Sequence, residues 1–124
     1  MYNIIGLGTD IIMVERIREI LIRHPEHFPA RHFTEAEQAY CNKYASSAQN
    51  YAGRFAAKEA VAKALGTGFG EHLSFLDIEI QNDAAGKPYV ILSEGAKAHF
   101  GDVQLLLSIS HCKEYATATA LALG

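Results

Sequence analysis

The sequence predicts an α+β fold in which one long and several shorter helices pack on an antiparallel sheet. Two observations carry this. Helical signals fall over residues 13–23, 34–44 and 47–65, and the pattern changes to alternation after about residue 75. Residues 104–110 and 115–123 then read as two antiparallel strands joined by a short turn. Helices gathered in the first half and strands in the second are the signature of segregated α+β layers rather than of a βαβ winding. With 124 residues and no repeat, linker or low-complexity stretch, the chain forms a single domain spanning 1–124.

The elements follow in order. Residues 2–8 read as a strand, and Gly6 and Gly8 within it mark a place where another backbone comes close. Asp10 follows that strand. Apolar residues at 13, 17, 20 and 21 predict a helix over 13–23, ended by Pro25, with Arg16 and Arg23 seven residues apart on one face and Glu19 between them. Thr34 and Glu37 form a capping box for a helix over about 34–44. An alanine-rich helix over about 47–65 closes at Gly66. Residues 75–81 alternate, 82–88 have turn chemistry, 89–92 form a strand, and 94–100 form a short helix.

Composition narrows the function classes. Apolar residues make up 49% and charged residues 20% of the chain, as in ordinary soluble proteins, and no apolar run approaches the roughly 20 residues of a membrane span. No basic stretch leads into an apolar segment at the N-terminus, and Cys41 and Cys112 have no CxxC spacing, so a cytoplasmic location is expected. A net charge of -3 argues against general nucleic-acid binding. Within that balance, residues 16–32 hold four arginines and three histidines against Glu19 and Glu26, a local basic patch suited to an acidic partner or equally to a solvated helix face.

Four groups of residues could carry chemistry. Arg54, Lys58, Glu59 and Lys63 lie on the long helix, Glu59 and Lys63 as i,i+4 neighbours, amid alanines that allow a ligand or backbone to approach. Asp10 at a strand end could hold a metal or cap the following helix. Gly66, Gly68 and Gly70 could cradle phosphate through their amides or simply end a helix. His111 follows Ser108-Ile109-Ser110; Ser110 and His111 fall on opposite faces, so a phosphate-binding imidazole or a structural turn fits better than a nucleophilic triad. No P-loop and no three-ligand zinc set are present. Two carboxylates beside lysine and arginine point to magnesium shared between protein and phosphate oxygens.

Gly6-Leu7-Gly8-Thr9-Asp10-Ile11 with Glu15-Arg16-Ile17, and Phe55-Ala56-Ala57-Lys58-Glu59-Ala60 running on to Lys63-Ala64-Leu65-Gly66-Thr67-Gly68, resemble two motifs of the 4'-phosphopantetheinyl transferases. Asn82 to Pro88, with Gly86-Lys87-Pro88, and Ser108-Ile109-Ser110-His111 with Tyr115-Ala116, resemble the rest. The likeness runs nearly end to end and in order, with the short length of that family's carrier-protein-synthase branch. It implies a single-module transferase fold that moves 4'-phosphopantetheine from coenzyme A to a serine of apo-acyl carrier protein, in fatty acid biosynthesis.

The same resemblance implies roles. Asp10 and Glu59 would ligate Mg²⁺, with Asp10, Glu59 and Lys63 as the catalytic set and Glu59, or a metal-bound water it orients, the candidate acceptor of the serine proton. Lys63 would lie on the pyrophosphate, and Arg54 and His111 on the 3'-phosphate of coenzyme A. Gly66, Gly68, Lys87, Pro88 and Ser110 would complete the coenzyme A contacts. Arg16 and Arg23 would meet the acidic carrier protein. Where longer members of the family carry a second carboxylate two residues after the aspartate, this chain has Ile12, so two protein ligands are expected. Because longer members look like two modules in one chain, the single module is expected to form a homotrimer with sites between subunits. A Mg²⁺-dependent phosphohydrolase and a non-catalytic coenzyme-A-binding module are the rival readings.

Overall fold

A computed structural model describes residues 2–124. The chain runs β1 (Ile4–Met13), α1 (Val14–Arg23), α2 (His27–His32), α3 (Glu35–Asn42), α4 (Ser47–Leu65), a 3-10 turn (Phe75–Asp77), β2 (Ile78–Asn82), β3 (Pro88–Leu92), α5 (Glu94–Phe100), β4 (Gln104–His111) and β5 (Tyr115–Leu123). The expected antiparallel arrangement is present as two sheets, three-stranded β1-β5-β4 and two-stranded β2-β3. Among the described residues no helix is long and apolar enough to cross a membrane.

Helix α4 is the axis of the fold, and alanine is the reason. Ala116, Ala118, Ala120 and Ala122 alternate along the central strand β5 and are buried, the last three in one cluster with Ala56, Ala57, Ala60 and Ala64 of α4. Small side chains on both surfaces bring helix and sheet together, and the closest approach is at β1. A Cβ built on Gly6 would lie 1.8 Å from the Ala64 carbonyl oxygen, and one on Gly8 1.9 Å from that of Ala60. Only glycine fits at those two positions. The backbone that the alanine run admits is therefore that of β1.

Three expectations are corrected. Strand β1 does not stop at residue 8: residues 9–13 continue it, with Asp10 paired to Ala118 and Met13 to Tyr115. Asp10 therefore sits within a strand and is no helix cap; Met13 is the N-cap of α1, without a side-chain cap bond. Residues 75–77 form a 3-10 turn ahead of β2 rather than strand, held by Asp77, whose carboxylate accepts from the amide and hydroxyl of Ser74. Helix α2 was not among the expected elements. Pro29 falls in its first turn, where a backbone N–H has no intrahelical acceptor to lose.

Two buried clusters fill the molecule, one between α4 and the sheets and one joining Val14, Ile17, Phe28, Phe33, Cys41 and Tyr51. An ion pair lies across their boundary. Lys58 and Glu37 have fully buried side chains with Nζ and Oε1 2.5 Å apart. Lys58 also donates to the carbonyls of His32 (2.7 Å) and Phe75 (3.0 Å), while Glu37 accepts from the amides of Thr34 and Ile80, each at 2.8 Å. One pair thus ties α3, α4, β2 and the end of α2 to each other, and burial lowers the Lys58 pKa against the opposing pull of Glu37.

Candidate active site

The close approach of β1 to α4 creates the first half of the site. Residues 6, 8, 10 and 12 share one face of β1, so the glycines that touch α4 lead directly to Asp10. A groove of about 430 Å³ opens there, lined by Asp10, Ile12, Arg16, Phe55, Glu59 and Tyr115 among others. Burial lifts the Glu59 carboxyl above its ordinary range, the neighbouring Asp10 charge lifts it further, and Lys63 opposes both. Lys63 does not form the helix-surface pair with Glu59 that its spacing allows. It reaches across to β1, donating to the Thr9 carbonyl at 2.9 Å and to Asp10 at 3.4 Å. Asp10, Glu59 and Lys63 therefore converge, from two elements, at one end of the groove.

The second half is a separate cavity. Five residues before Glu59 on α4, Arg54 points some 140° around the helix into a cavity of about 230 Å³ lined by Tyr40, Asn50, Asn82, Pro88 and His111, with Gly53, Gly86 and Ile109 between them. Gly53 makes room for the end of β4: a Cβ there would lie 3.2 Å from Ile109 and 3.9 Å from the His111 ring. Arg54 is 5% exposed. Its Nη2 donates to Asn82 Oδ1 at 2.6 Å, its guanidinium lies 3.9 Å from the Tyr40 ring centroid, and its buried Nε has no hydrogen-bond partner. Arg54 and His111, a buried cation and an imidazole in one cavity, can receive an anion.

The other expected contacts fall unevenly. Pro88 lines the Arg54 cavity and Lys87 is exposed on the adjoining turn, its amide already donated to Asp83. Ser110 sits on the outer face of β4, opposite to His111. The amides of Gly66 and Gly68 donate to the carbonyls of Lys63 and Ala62, and both residues have positive φ, so here they finish α4 and hold no free N–H for phosphate. Arg16 lines the carboxylate groove, Arg23 is exposed in the last turn of α1, and neither joins an ion pair among the described residues; the α1 pair is Arg18 with Glu15. Tyr40 and Asn50 were not anticipated, and Asn82 was expected only as the start of the motif at residues 82–88, without a role of its own. Asn50 precedes Arg54 by one helical turn of α4, a spacing the sequence does offer, whereas Tyr40 meets Arg54 only through the tertiary fold.

Asp10 and Glu59 suit a hard divalent cation: two carboxylate oxygen donors in one groove, one of them raised in pKa partly by the other. Among the described residues, no group of three or more His, Cys, Asp or Glu gathers as a metal set.

A fold with these two half-sites belongs to a known class. Residues 6–120 match the family described as ACPS, 4'-phosphopantetheinyl transferase superfamily, and the chain belongs to that superfamily. Within it the chain falls in the holo-[acyl-carrier-protein] synthase branch. It is 52% identical to the holo-[acyl-carrier-protein] synthase of Protochlamydia amoebophila over 94% of this chain and 96% of that one. The Chlamydia pneumoniae synthase is likewise 52% identical, over 98% and 99%. Among solved structures, the Bacillus anthracis synthase in complex with CoA (3',5'-ADP) has a TM-score of 0.84 at 41% identity, covering 98% of this chain and 97% of that one. The Helicobacter pylori synthase in complex with coenzyme A has a TM-score of 0.85 at 34% identity, covering 94% and 98%.

Proposed function

We propose that this protein transfers 4'-phosphopantetheine from coenzyme A to a serine of apo-acyl carrier protein, with Mg²⁺, in fatty acid biosynthesis in the cytoplasm. The observation that carries the proposal is the pairing of a carboxylate groove at Asp10 and Glu59 with a second, cationic cavity at Arg54 and His111. Coenzyme A has two phosphate groups to match: a pyrophosphate at the scissile bond and a remote 3'-phosphate. The synthases of similar sequence and structure, two of them solved with this ligand, support the same assignment.

Asp10 and Glu59 would hold the Mg²⁺, which would neutralise charge on the pyrophosphate. The serine oxygen attacks the β-phosphorus, the bond from that phosphorus to the bridging oxygen breaks, and 3',5'-ADP leaves with the bond electrons. Lys63, fixed beside Asp10, offsets the charge on the leaving phosphate. Glu59 is the candidate acceptor of the serine proton, and its raised pKa brings it nearer to that task. With Ile12 in the groove where a third carboxylate could stand, coenzyme A oxygens and water would complete the metal shell. Mg²⁺ titrated calorimetrically into the protein alone should therefore bind weakly, and more tightly once coenzyme A is present.

The active form would be a homotrimer with sites between subunits, supported by an uncovered apolar sheet face. Leu7, Leu121 and Leu106 stand in one row across β1, β5 and β4, and Leu7 and Leu106 are 65% and 48% exposed, beside exposed Ile5 and Ile11. One protomer would supply Asp10, Glu59 and Lys63, and its neighbour Arg54 and His111. Arg16 and Arg23 would receive the acidic carrier.

The test is to incubate the protein with coenzyme A, Mg²⁺ and apo-carrier protein and to weigh the carrier. A gain of one phosphopantetheine supports the transferase. Cleavage of coenzyme A without carrier would favour a phosphohydrolase, and binding without turnover a coenzyme-A-binding module.

A further inference from the structure

Arg54 is a buried cation with no carboxylate partner among the described residues. Burying such a charge is costly unless something fixes and partly solvates it. Two neutral groups do so. The Tyr40 ring covers one face of the guanidinium at 3.9 Å. Asn82 Oδ1 accepts from Nη2 at 2.6 Å, and its orientation is set from behind, because Asn82 Nδ2 donates to the Gly86 carbonyl at 2.9 Å. Since the amide nitrogen must face that carbonyl, the amide oxygen must face Arg54.

The carboxylate next in sequence is kept occupied. Asp83 Oδ1 accepts from the amides of Ala85 and Lys87, each at 2.9 Å, which fixes it in the turn. Arg54 is thus held in place by groups that do not cancel its charge, and that charge stays available to an anion in the cavity.

We propose that Tyr40 and Asn82 are positioning residues that hold Arg54 as a preset receptor for a phosphate monoester, and so set the preference for coenzyme A over coenzyme A lacking its 3'-phosphate. The proposal rests on the assignment of this cavity to the 3'-phosphate. Tyr40 acts through its face, so Tyr40→Phe should preserve the receptor and Tyr40→Leu should release the guanidinium. Asn82→Asp keeps the size and the acceptor but puts a negative charge on Arg54, pre-empting the ligand.

The experiment measures kcat and KM for coenzyme A and for dephospho-coenzyme A with wild type, Tyr40→Phe, Tyr40→Leu, Asn82→Asp and Arg54→Lys, with calorimetric binding of 3',5'-ADP and 5'-ADP. Tyr40→Leu and Asn82→Asp should raise the coenzyme A KM by roughly tenfold, with a much smaller change in kcat. They should weaken 3',5'-ADP more than 5'-ADP, narrowing the preference between the two substrates, while Tyr40→Phe stays near wild type. Equal losses on both substrates would indicate general structural damage and overturn the proposal. If Arg54→Lys erases the preference but the Tyr40 and Asn82 variants keep it, the cavity assignment stands and this proposal alone fails. If wild type shows no preference and Arg54→Lys changes nothing, the cavity assignment fails and the proposal falls with it.

Discussion

Gly8 and the Ala60 carbonyl are so close that a methyl group at Gly8 would sit 1.9 Å from the carbonyl oxygen. The obstacle is backbone on both sides, so no rotamer change can relieve it. Gly8→Ala must therefore push β1 away from α4, at a cost of roughly 3 kcal/mol or more, or about a 10 °C fall in Tm. Asp10 lies on the same strand face two residues on, so the same shift separates it from Glu59 and Lys63. Thermal melts and activity together check this: activity should fall further than the unfolded fraction explains.

Lys58→Met is expected to be among the most damaging core changes, because it strands the Glu37 carboxylate in the interior. Removing one partner of a buried pair costs about 3–5 kcal/mol. The double variant Lys58→Met with Glu37→Gln should regain part of that loss, since no net charge is then buried. Urea unfolding of the two singles and the double measures the coupling; strict additivity would show that the pair does not act as a unit.

These two contacts show what was legible. The glycine spacing of β1 and the alanine run of α4 were each visible, and they correctly implied a close approach, because small residues have few other reasons to cluster so. The extension of β1 to Met13 was not visible, since residues 9–13 are strand only through pairing with residues 115–119 of β5. Nor was the Lys58–Glu37 pair. Glu37 already had a local role in the capping box, which it does fill with one oxygen, and nothing local marks its second oxygen as bound to Ile80. Asp10, Glu59 and Arg54 could be nominated from sequence because their residue types and motif context point to phosphate chemistry. Tyr40 carries no such mark, and Asn82 only a place at the start of the motif at residues 82–88.

Acidification should destabilise the protein through His32. Its ring lies among Phe28, Phe55 and Phe75 with Nδ1 against the Phe28 carbonyl at 2.8 Å, and its pKa is lowered first by burial, then by nearby cations, against that hydrogen bond. With the folded pKa below the ordinary 6.5, the unfolded chain binds more protons in the window between the two values. Stability should therefore fall as pH drops through 6.5 and level off below the folded-state value. His32→Gln should flatten that segment of a plot of urea midpoint against pH, even if it lowers the whole curve.

Sites shared between subunits should show complementation. His111→Ala and Glu59→Ala damage different cavities of the same chain. If each working site takes one cavity from each of two protomers, a mixed trimer holds some sites in which both contributing halves are intact. Subunit exchange should then restore activity that neither variant has alone. Verified mixed trimers with no recovery would mean that both halves act within one chain.

Arg16 and Arg23 make separable demands on the carrier protein. Arg16 lines the groove beside Asp10 and Glu59, whereas Arg23 is in the last turn of α1, seven residues further along the same helix face. An acidic helix lying along α1 would meet both, so charge reversal at either should raise the carrier KM by roughly tenfold or more. Only Arg16 is near enough to the carboxylates for its reversal to disturb the reaction centre as well. Arg23→Glu should therefore change the carrier KM and its salt dependence while leaving kcat and the coenzyme A KM in place, and Arg16→Glu should also lower kcat. An unchanged carrier KM in Arg23→Glu would confine carrier recognition to the groove and remove the rest of α1 from it.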